Sequence, residues 1–278
     1  MINSIKLIRQ RSGAPISLCQ EALTNTGSVE GALEFMRLKG IHVAEKFASR
    51  TAVHGLVSLA VTDRFGAIVK IGCETDFAAL SDPVISLAQN LPKLLSPKTR
   101  GFESASFKTP IHSQIRSLLV QDAFAEVSAL IGEKVEIKSV DLLEADFVGG
   151  YVHSTVGANL GKRGALVGFN GTAPPGFESF SRSVARHIVA CPPKFVSLTL
   201  TEPEKLRVEM DVVRSGCQDE HAFAKKWKRF IEDNILEEAR FVSDSDSEVT
   251  VKDALEEFVV RAGGAPGSVY LSSFVTTG

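Results

Sequence analysis

Glu74 and Asp76 lie two residues apart, so an extended segment would place both carboxylates on one face. Such a pair can run general acid–base chemistry, and His153, in an apolar stretch beside Gly150 and Tyr151, could join it from elsewhere in the chain. An enzyme using Glu74, Asp76 and His153 is therefore one reading. Little else supports it. The sequence has no Walker loop, no G-x-G-x-x-G after a strand and no G-x-S-x-G elbow. The Gly- and Lys-bearing run GANLGKRG (157–164) sits between two strand-like stretches, without the helix N-terminus that would cradle a phosphate. The six histidines show no H-x-x-x-H spacing, and Cys19, Cys73, Cys191 and Cys217 form no C-x-x-C pair. The thiols read as buried and reduced, and His153 taken alone reads as a structural histidine. The expectation is no catalytic residue, no metal and no cofactor.

The stretch that resists an ordinary explanation is GCETDFAAL (72–80), which follows the apolar run 67–71. A core strand is expected to hand over to Gly, Asn or Pro; this one hands over to an acid with a phenylalanine beside it. Burying a phenylalanine is worth about 2–3 kcal/mol, so Phe77 either tucks into its own core or anchors in a partner.

The elements that hold these residues follow from periodicity. Residues 1–51 read as three or four short helices: 3–11, a second carrying Ile16, Cys19 and Leu23 on one side, a third with Val29, Ala32, Leu33 and Met36, and a short fourth after Gly40. Pro15 suits a first helical position, and Gly27-Ser28 suits a C-terminal stop followed by an N-cap. From residue 52 the period shifts to that of strands. Stretches 55–61 and 67–73 flank TDRFG as a hairpin, followed by a helix over 82–95, a loop over 96–110, a helix over 111–131 and a strand over 134–143. A second hairpin (149–156, 165–171), a helix (176–190) and a final strand (268–275) repeat the theme. Between them Leu206, Met210 and Val213, then Phe223, Trp227, Phe230 and Ile231, mark an antiparallel helical hairpin over 203–236. Its Lys225, Lys226, Lys228 and Arg229 lie off the apolar stripe and read as a solvated face, with a basic docking surface as the other reading. The fold class is α+β. The expected organisation is a helical module over 1–51, one core subdomain over 52–145 and a similar one over 146–278.

The chain's 278 residues suffice for a sizeable core without staples. With 44% apolar and 23% charged residues and a net charge of −2, it offers no global attraction to nucleic acid or an anionic membrane. No run is long and apolar enough to span a bilayer, and no signal core or Arg/Ser-rich arm opens the chain. It reads as cytosolic, or as the mature form of an imported protein.

Several motifs resemble one family. CETDFAAL resembles the T-D-F signature of the elongation factor Ts family, the nucleotide exchange factors of elongation factor Tu. LIRQRSGAPISLCQEAL (7–23) resembles its opening motif, and GALEFMRLKG (31–40) its third helix. ALIGEKVEIKSV (129–140) is similar to its Ile-Gly-Glu-Asn strand entry. YVHS with GKRGALVGF, and VARHIVACPPKFV (184–196), resemble later family segments in the same order. The resemblance implies a ubiquitin-associated-like N-terminal three-helix module, a core of two similar subdomains and a projecting helical hairpin. It implies elongation factor Tu as partner, with no direct nucleic-acid or membrane contact, and either a homodimer of the factor or a heterotetramer with the GTPase.

By the same resemblance, the turn carrying Thr75, Asp76 and Phe77 approaches the GTPase near its magnesium and phosphates, with Phe77 as wedge and Asp76 beside it. Ile131, Gly132 and His153 map to further contacts, and Pro15, Ile16 and Ser17 to the grip of the N-terminal module. The chain departs from the family at 15–17, at Gln20-Glu21 and at Ala78-Ala79-Leu80. That drift points to a mitochondrial member, the alternative being a bacterial cytoplasmic one. An exchange-inactive scaffold or chaperone for a translation GTPase is the alternative function.

Overall fold

The computed structural model describes residues 2–12, 14, 16–47, 49–98, 106–111, 114–242 and 249–278. It is a mixed α+β chain with a helical N-terminal segment followed by sheet-containing structure. Three helices open it: α1 (Ile2–Ser12), α2 (Ile16–Thr26) and α3 (Val29–Phe47). There follow β1 (His54–Val61), β2 (Phe65–Cys73), α4 (Asp76–Ala79) and α5 (Asp82–Asn90), the last extended by a 3₁₀ turn at Leu91–Leu94. Next come β3 (Ser106–Ile111), β4 (Gln114–Leu119), α6 (Val120–Ile131), β5 (Val135–Glu144), β6 (Phe147–His153), β7 (Leu160–Gly161) and β8 (Arg163–Gly171). The chain closes with α7 (Phe177–Ala190), α8 (Pro203–Ser215), α9 (Glu220–Asn234), a 3₁₀ turn at Leu236–Glu238, α10 (Val251–Arg261) and β9 (Val269–Thr277).

The residues group into two compact units. The first comprises Met1–Ser58, Val69–Val140 and Thr155–Lys162; the second comprises Leu59–Ile68, Asp141–Ser154 and Arg163–Gly278.

In the first unit, Ile8, Ala14, Cys19, Ala22, Ala32 and Leu33 form the small core of the three opening helices. Ser28 Oγ accepts the Gly31 amide at 3.0 Å and starts α3, as the sequence predicts. Gly40 does not stop that helix. A Cβ there would lie 3.4 Å from Ala129 Cβ and 3.5 Å from the Ala125 carbonyl oxygen, so the glycine marks where α3 and α6 approach closely. Arg37 Nη1, 3.2 Å from Asp122 Oδ2, ties the same two helices. Among the described residues α3 runs on to Phe47, through the stretch where a separate fourth helix is expected. The expected helix over 111–131 is also shorter than its periodicity suggests. Its first half is strand β4, paired with β3 in the register Ser106↔Leu119 to Ile111↔Gln114, and only Val120–Ile131 is helical. The four-stranded sheet runs β5-β2-β1-β7, and of its strands this unit holds residues 54–58, 69–73, 135–140 and all of β7. Its strand β7 lies inside the expected turn GANLGKRG and pairs with β1 through Val57↔Gly161.

In the second unit, β6, β8 and β9 form an antiparallel sheet, with Tyr151 opposite Ala165 and His153 opposite Arg163. Helix α7 buries Phe177, Phe180, Val184, Ala185 and Ile188, the one-sided spacing of an amphipathic helix. The hairpin α8–α9 agrees with expectation. Asp219 caps α9 by accepting the Ala222 amide at 2.7 Å, and the rings of Trp227 and Phe230 stack at 5.0 Å. Lys228 pairs with Glu232 and Arg229 with Asp233, while Lys226 donates to the Gly216 carbonyl. These pairings suit a solvated face, with each exposed pair worth at most about 0.5 kcal/mol.

The same unit holds a buried titratable group. His187 on α7 is 1% exposed, and its Nδ1 accepts the Val242 amide at 3.2 Å. Burial pushes its pKa down to about 4. The folded value lies below the unfolded one, near 6.5, so the unfolded chain binds the extra proton between these limits. This contribution to stability is complete above about pH 6.5 and is lost as pH falls towards 4. Urea unfolding of the wild type should lose up to about 2 kcal/mol between pH 6.5 and pH 5 through this group. His187→Gln should flatten that slope; an equally steep slope in the variant would assign the pH dependence to other groups.

Candidate functional site

Strand β2 ends at the buried Cys73, and the chain must turn while its backbone groups find partners. Thr75 supplies the turn. It is extended (φ −122°, ψ 160°), and its Oγ accepts the Ala78 amide at 3.1 Å, capping the one-turn helix α4. Asp76 and Phe77 are therefore the first two helical residues. Ala78 and Ala79 pack inward, so the turn is anchored by two small side chains and the Phe77 ring points away, 84% exposed. Asp76 is also exposed, and its Oδ1 accepts the Phe77 amide at 3.0 Å. Thr75 after the strand is thus a helix cap, and the phenylalanine two residues on is left in water.

Helix α6 ends beside this turn. Gly132 takes a left-handed conformation (φ +76°) and donates to the Ser128 carbonyl at 2.9 Å, which closes the helix after the half-buried Ile131. The next residue, Glu133, reaches across. One carboxylate oxygen accepts the Thr75 amide at 3.0 Å, and the Thr75 hydroxyl donates to the carboxylate at 2.9 Å. Glu74 reaches the opposite way, with Oε1 accepting the Lys134 amide at 2.6 Å and Arg50 Nη1 at 3.2 Å. The two loops are stapled by a reciprocal pair of carboxylates. Thr75, Asp76 and Phe77 are thereby brought together with Ile131 and Gly132.

This staple commits Glu74 to hydrogen bonds with Lys134 and Arg50, while among the described residues the Asp76 carboxylate bonds only the Phe77 amide beside it. The Lys134 amide first, and then Arg50, hold the Glu74 carboxyl below its ordinary pKa, so it stays an acceptor. Burial, with Glu133 nearby, pushes the Cys73 thiol up to about 12, leaving it protonated and unreactive. Among the described residues no group of three His, Cys, Asp or Glu side chains is placed to hold a metal. A cavity of about 150 Å³ in the first unit, lined by Leu18, Leu33, Met36, Arg37, Val127 and Leu130 among others, includes none of the candidate residues.

Of the remaining candidates, Ile16 (52% exposed) and Ser17 (exposed) stand on the first turn of α2, and Pro15 lies outside the described residues. His153 belongs to the second unit, where it is exposed at the end of β6 with Nδ1 3.2 Å from Tyr151 Oη. Glu133 escaped the sequence reasoning. Its only signal was an acid directly after Ile131-Gly132, and that spacing does not say which chain segment it faces.

The chain matches a family model described as Elongation factor TS over residues 74–264. Among curated relatives, an Elongation factor Ts from Anaplasma marginale (strain St. Maries) is 31% identical over 262 residues, covering 89% of this chain and 90% of that protein. One from Methylobacterium nodulans is 31% identical over 281 residues, covering 98% of this chain and 89% of that protein. One from Ehrlichia chaffeensis is 29% identical over 286 residues, covering 99% and 98%.

Proposed function

The chain belongs to the elongation factor Ts family, and from that premise we propose that its Asp76–Phe77 turn drives guanine nucleotide exchange on elongation factor Tu. Family membership supplies the function: a factor that promotes GDP release from elongation factor Tu during translation elongation. An exchange factor makes no bonds. It binds the GTPase better without nucleotide than with it, and linkage then weakens nucleotide binding by the same factor. The Phe77 ring enters an apolar slot on the GTPase beside its magnesium and phosphates, and the Asp76 carboxylate adds a competing charge there. Losing metal coordination loosens the diphosphate.

The observation that carries this reading is the exposed ring on a capped, anchored turn. An unpartnered phenylalanine forgoes about 2–3 kcal/mol of burial, which a partner can recover. Ile131 and Gly132 present backbone and side chain beside the turn, and His153 offers a contact from the second unit. The core subdomains and the helical module over 1–51 supply affinity. The mitochondrial assignment rests on the departures at 15–21 and 78–80, and the matched relatives named above are bacterial.

Fluorescent GDP on a bacterial-type elongation factor Tu should dissociate faster when this chain is added. An unchanged rate would support the scaffold reading instead. The grip role has its own test in Ile16→Asp. An aspartate suits the first turn of a helix, so α2 should be undisturbed. The charge should weaken affinity for nucleotide-free elongation factor Tu about tenfold, with the release rate at saturating chain little changed. A titration showing wild-type affinity would take Ile16 out of the interface.

A further inference from the structure

We infer that Glu133 is a positioning residue for nucleotide exchange, its carboxylate fixing the one-turn helix from which Phe77 projects. The inference rests on the wedge reading above and deepens it. Helix α4 has four residues, too few to hold its own shape. Its direction is set by Thr75, the N-cap, whose hydroxyl accepts from Ala78 at 3.1 Å and donates to Glu133 at 2.9 Å. The Thr75 amide is held by the same carboxylate at 3.0 Å. One acidic group thus controls both the amide and the hydroxyl of the residue that starts the turn. Hydrogen bonds to an ionised acceptor are shorter and stronger than neutral ones. The return contact, Glu74 to the Lys134 amide at 2.6 Å, keeps the Glu133 segment from swinging away with its partner. A ring that must push on a GTPase needs a support that does not yield, and ordering that support in advance avoids an entropic cost on binding. The staple supplies it and leaves the Phe77 ring 84% exposed.

The test is a double-mutant cycle read as fluorescent-GDP release from elongation factor Tu at saturating chain, with affinity for the nucleotide-free GTPase measured alongside. Glu133→Ala should slow release about fivefold or more while affinity changes about twofold or less. Thr75→Val removes the same hydroxyl link and should give a comparable loss; it also serves where Glu133→Ala does not fold, as judged by thermal unfolding. In a Phe77→Ala background, Glu133→Ala should add almost nothing, because the ring it positions is gone. A purely structural role would instead multiply the two losses. Wild-type release by folded Glu133→Ala or Thr75→Val, or a fully multiplicative double variant, overturns the inference. Slow Phe77→Ala beside fast Glu133→Ala sinks this inference alone. A fast Phe77→Ala sinks the wedge reading and this inference with it.

Discussion

Phe77→Ala should slow stimulated GDP release about 10- to 30-fold at saturating chain, while the variant still forms a complex with elongation factor Tu. The size follows from the anchor. A central aromatic that fills a partner's slot is worth about 2 kcal/mol on truncation, and each 1.4 kcal/mol is a factor of ten. On the proposed wedge reading the loss falls on the rate, because the ring's contact would be made as the magnesium side is displaced, whereas affinity would be spread over the rest of the interface. The variant also separates function from folding. Phe77 is 84% exposed and its turn is anchored by Ala78 and Ala79, so unfolding free energy should stay within about 0.5 kcal/mol of wild type. Stopped-flow release and urea unfolding on the same preparation check both halves.

Phe177→Ala should do the reverse. This ring is 2% exposed at the start of α7, with centroids 5.1 Å from Phe147, 4.9 Å from Phe169, 5.8 Å from Phe180 and 5.9 Å from Phe258. Two of these contacts are edge-on, the geometry in which the positive edge of one ring meets the negative face of another. Removing the ring leaves a cavity that four other aromatics cannot all close. The cost should be about 3–5 kcal/mol, a large share of what a folded chain has to lose. Urea unfolding should show that loss, and release rates measured well below the melting temperature should stay close to wild type. A loss under about 1 kcal/mol would mean that the aromatic cluster repacks. On the proposed reading, two phenylalanines one hundred residues apart divide the work, Phe77 carrying exchange and Phe177 stability.

Much of this was legible in the residues. Ser28, Thr75 and Asp219 are capping types in capping positions, and each accepts the amide three residues on, because that bond needs only local chain geometry. The stripe Phe223, Trp227, Phe230 fixed the second hairpin helix for the same reason. The failures came where a distant segment decided the outcome. Gly40 reads as a helix stop when only its neighbours are considered, yet it is the point where α6 passes. Ile115, Leu118 and Leu119 have helical spacing, but pairing with Ser106–Ile111 draws them into a strand. The site followed the same rule. Asp76 and Phe77 drew attention by type and took their proposed roles from the family resemblance, while Glu133 bonds Thr75 across 58 residues and carried no spacing by which to find it. Glu74 stood out as a candidate acid–base group, yet the Lys134 amide that occupies its carboxylate is about as remote in sequence.

A single fluorine probe reads the proposed insertion without relying on rates. With 4-fluorophenylalanine placed at residue 77 alone, the free chain should give a narrow resonance with a full solvent isotope shift between H₂O and D₂O. Adding nucleotide-free elongation factor Tu should move and broaden that resonance and abolish the isotope shift, as the ring leaves water for an apolar slot. A resonance that stays narrow and fully solvent-sensitive in a saturated complex would show that the ring never enters the GTPase, and exchange would have to be driven from another part of the surface.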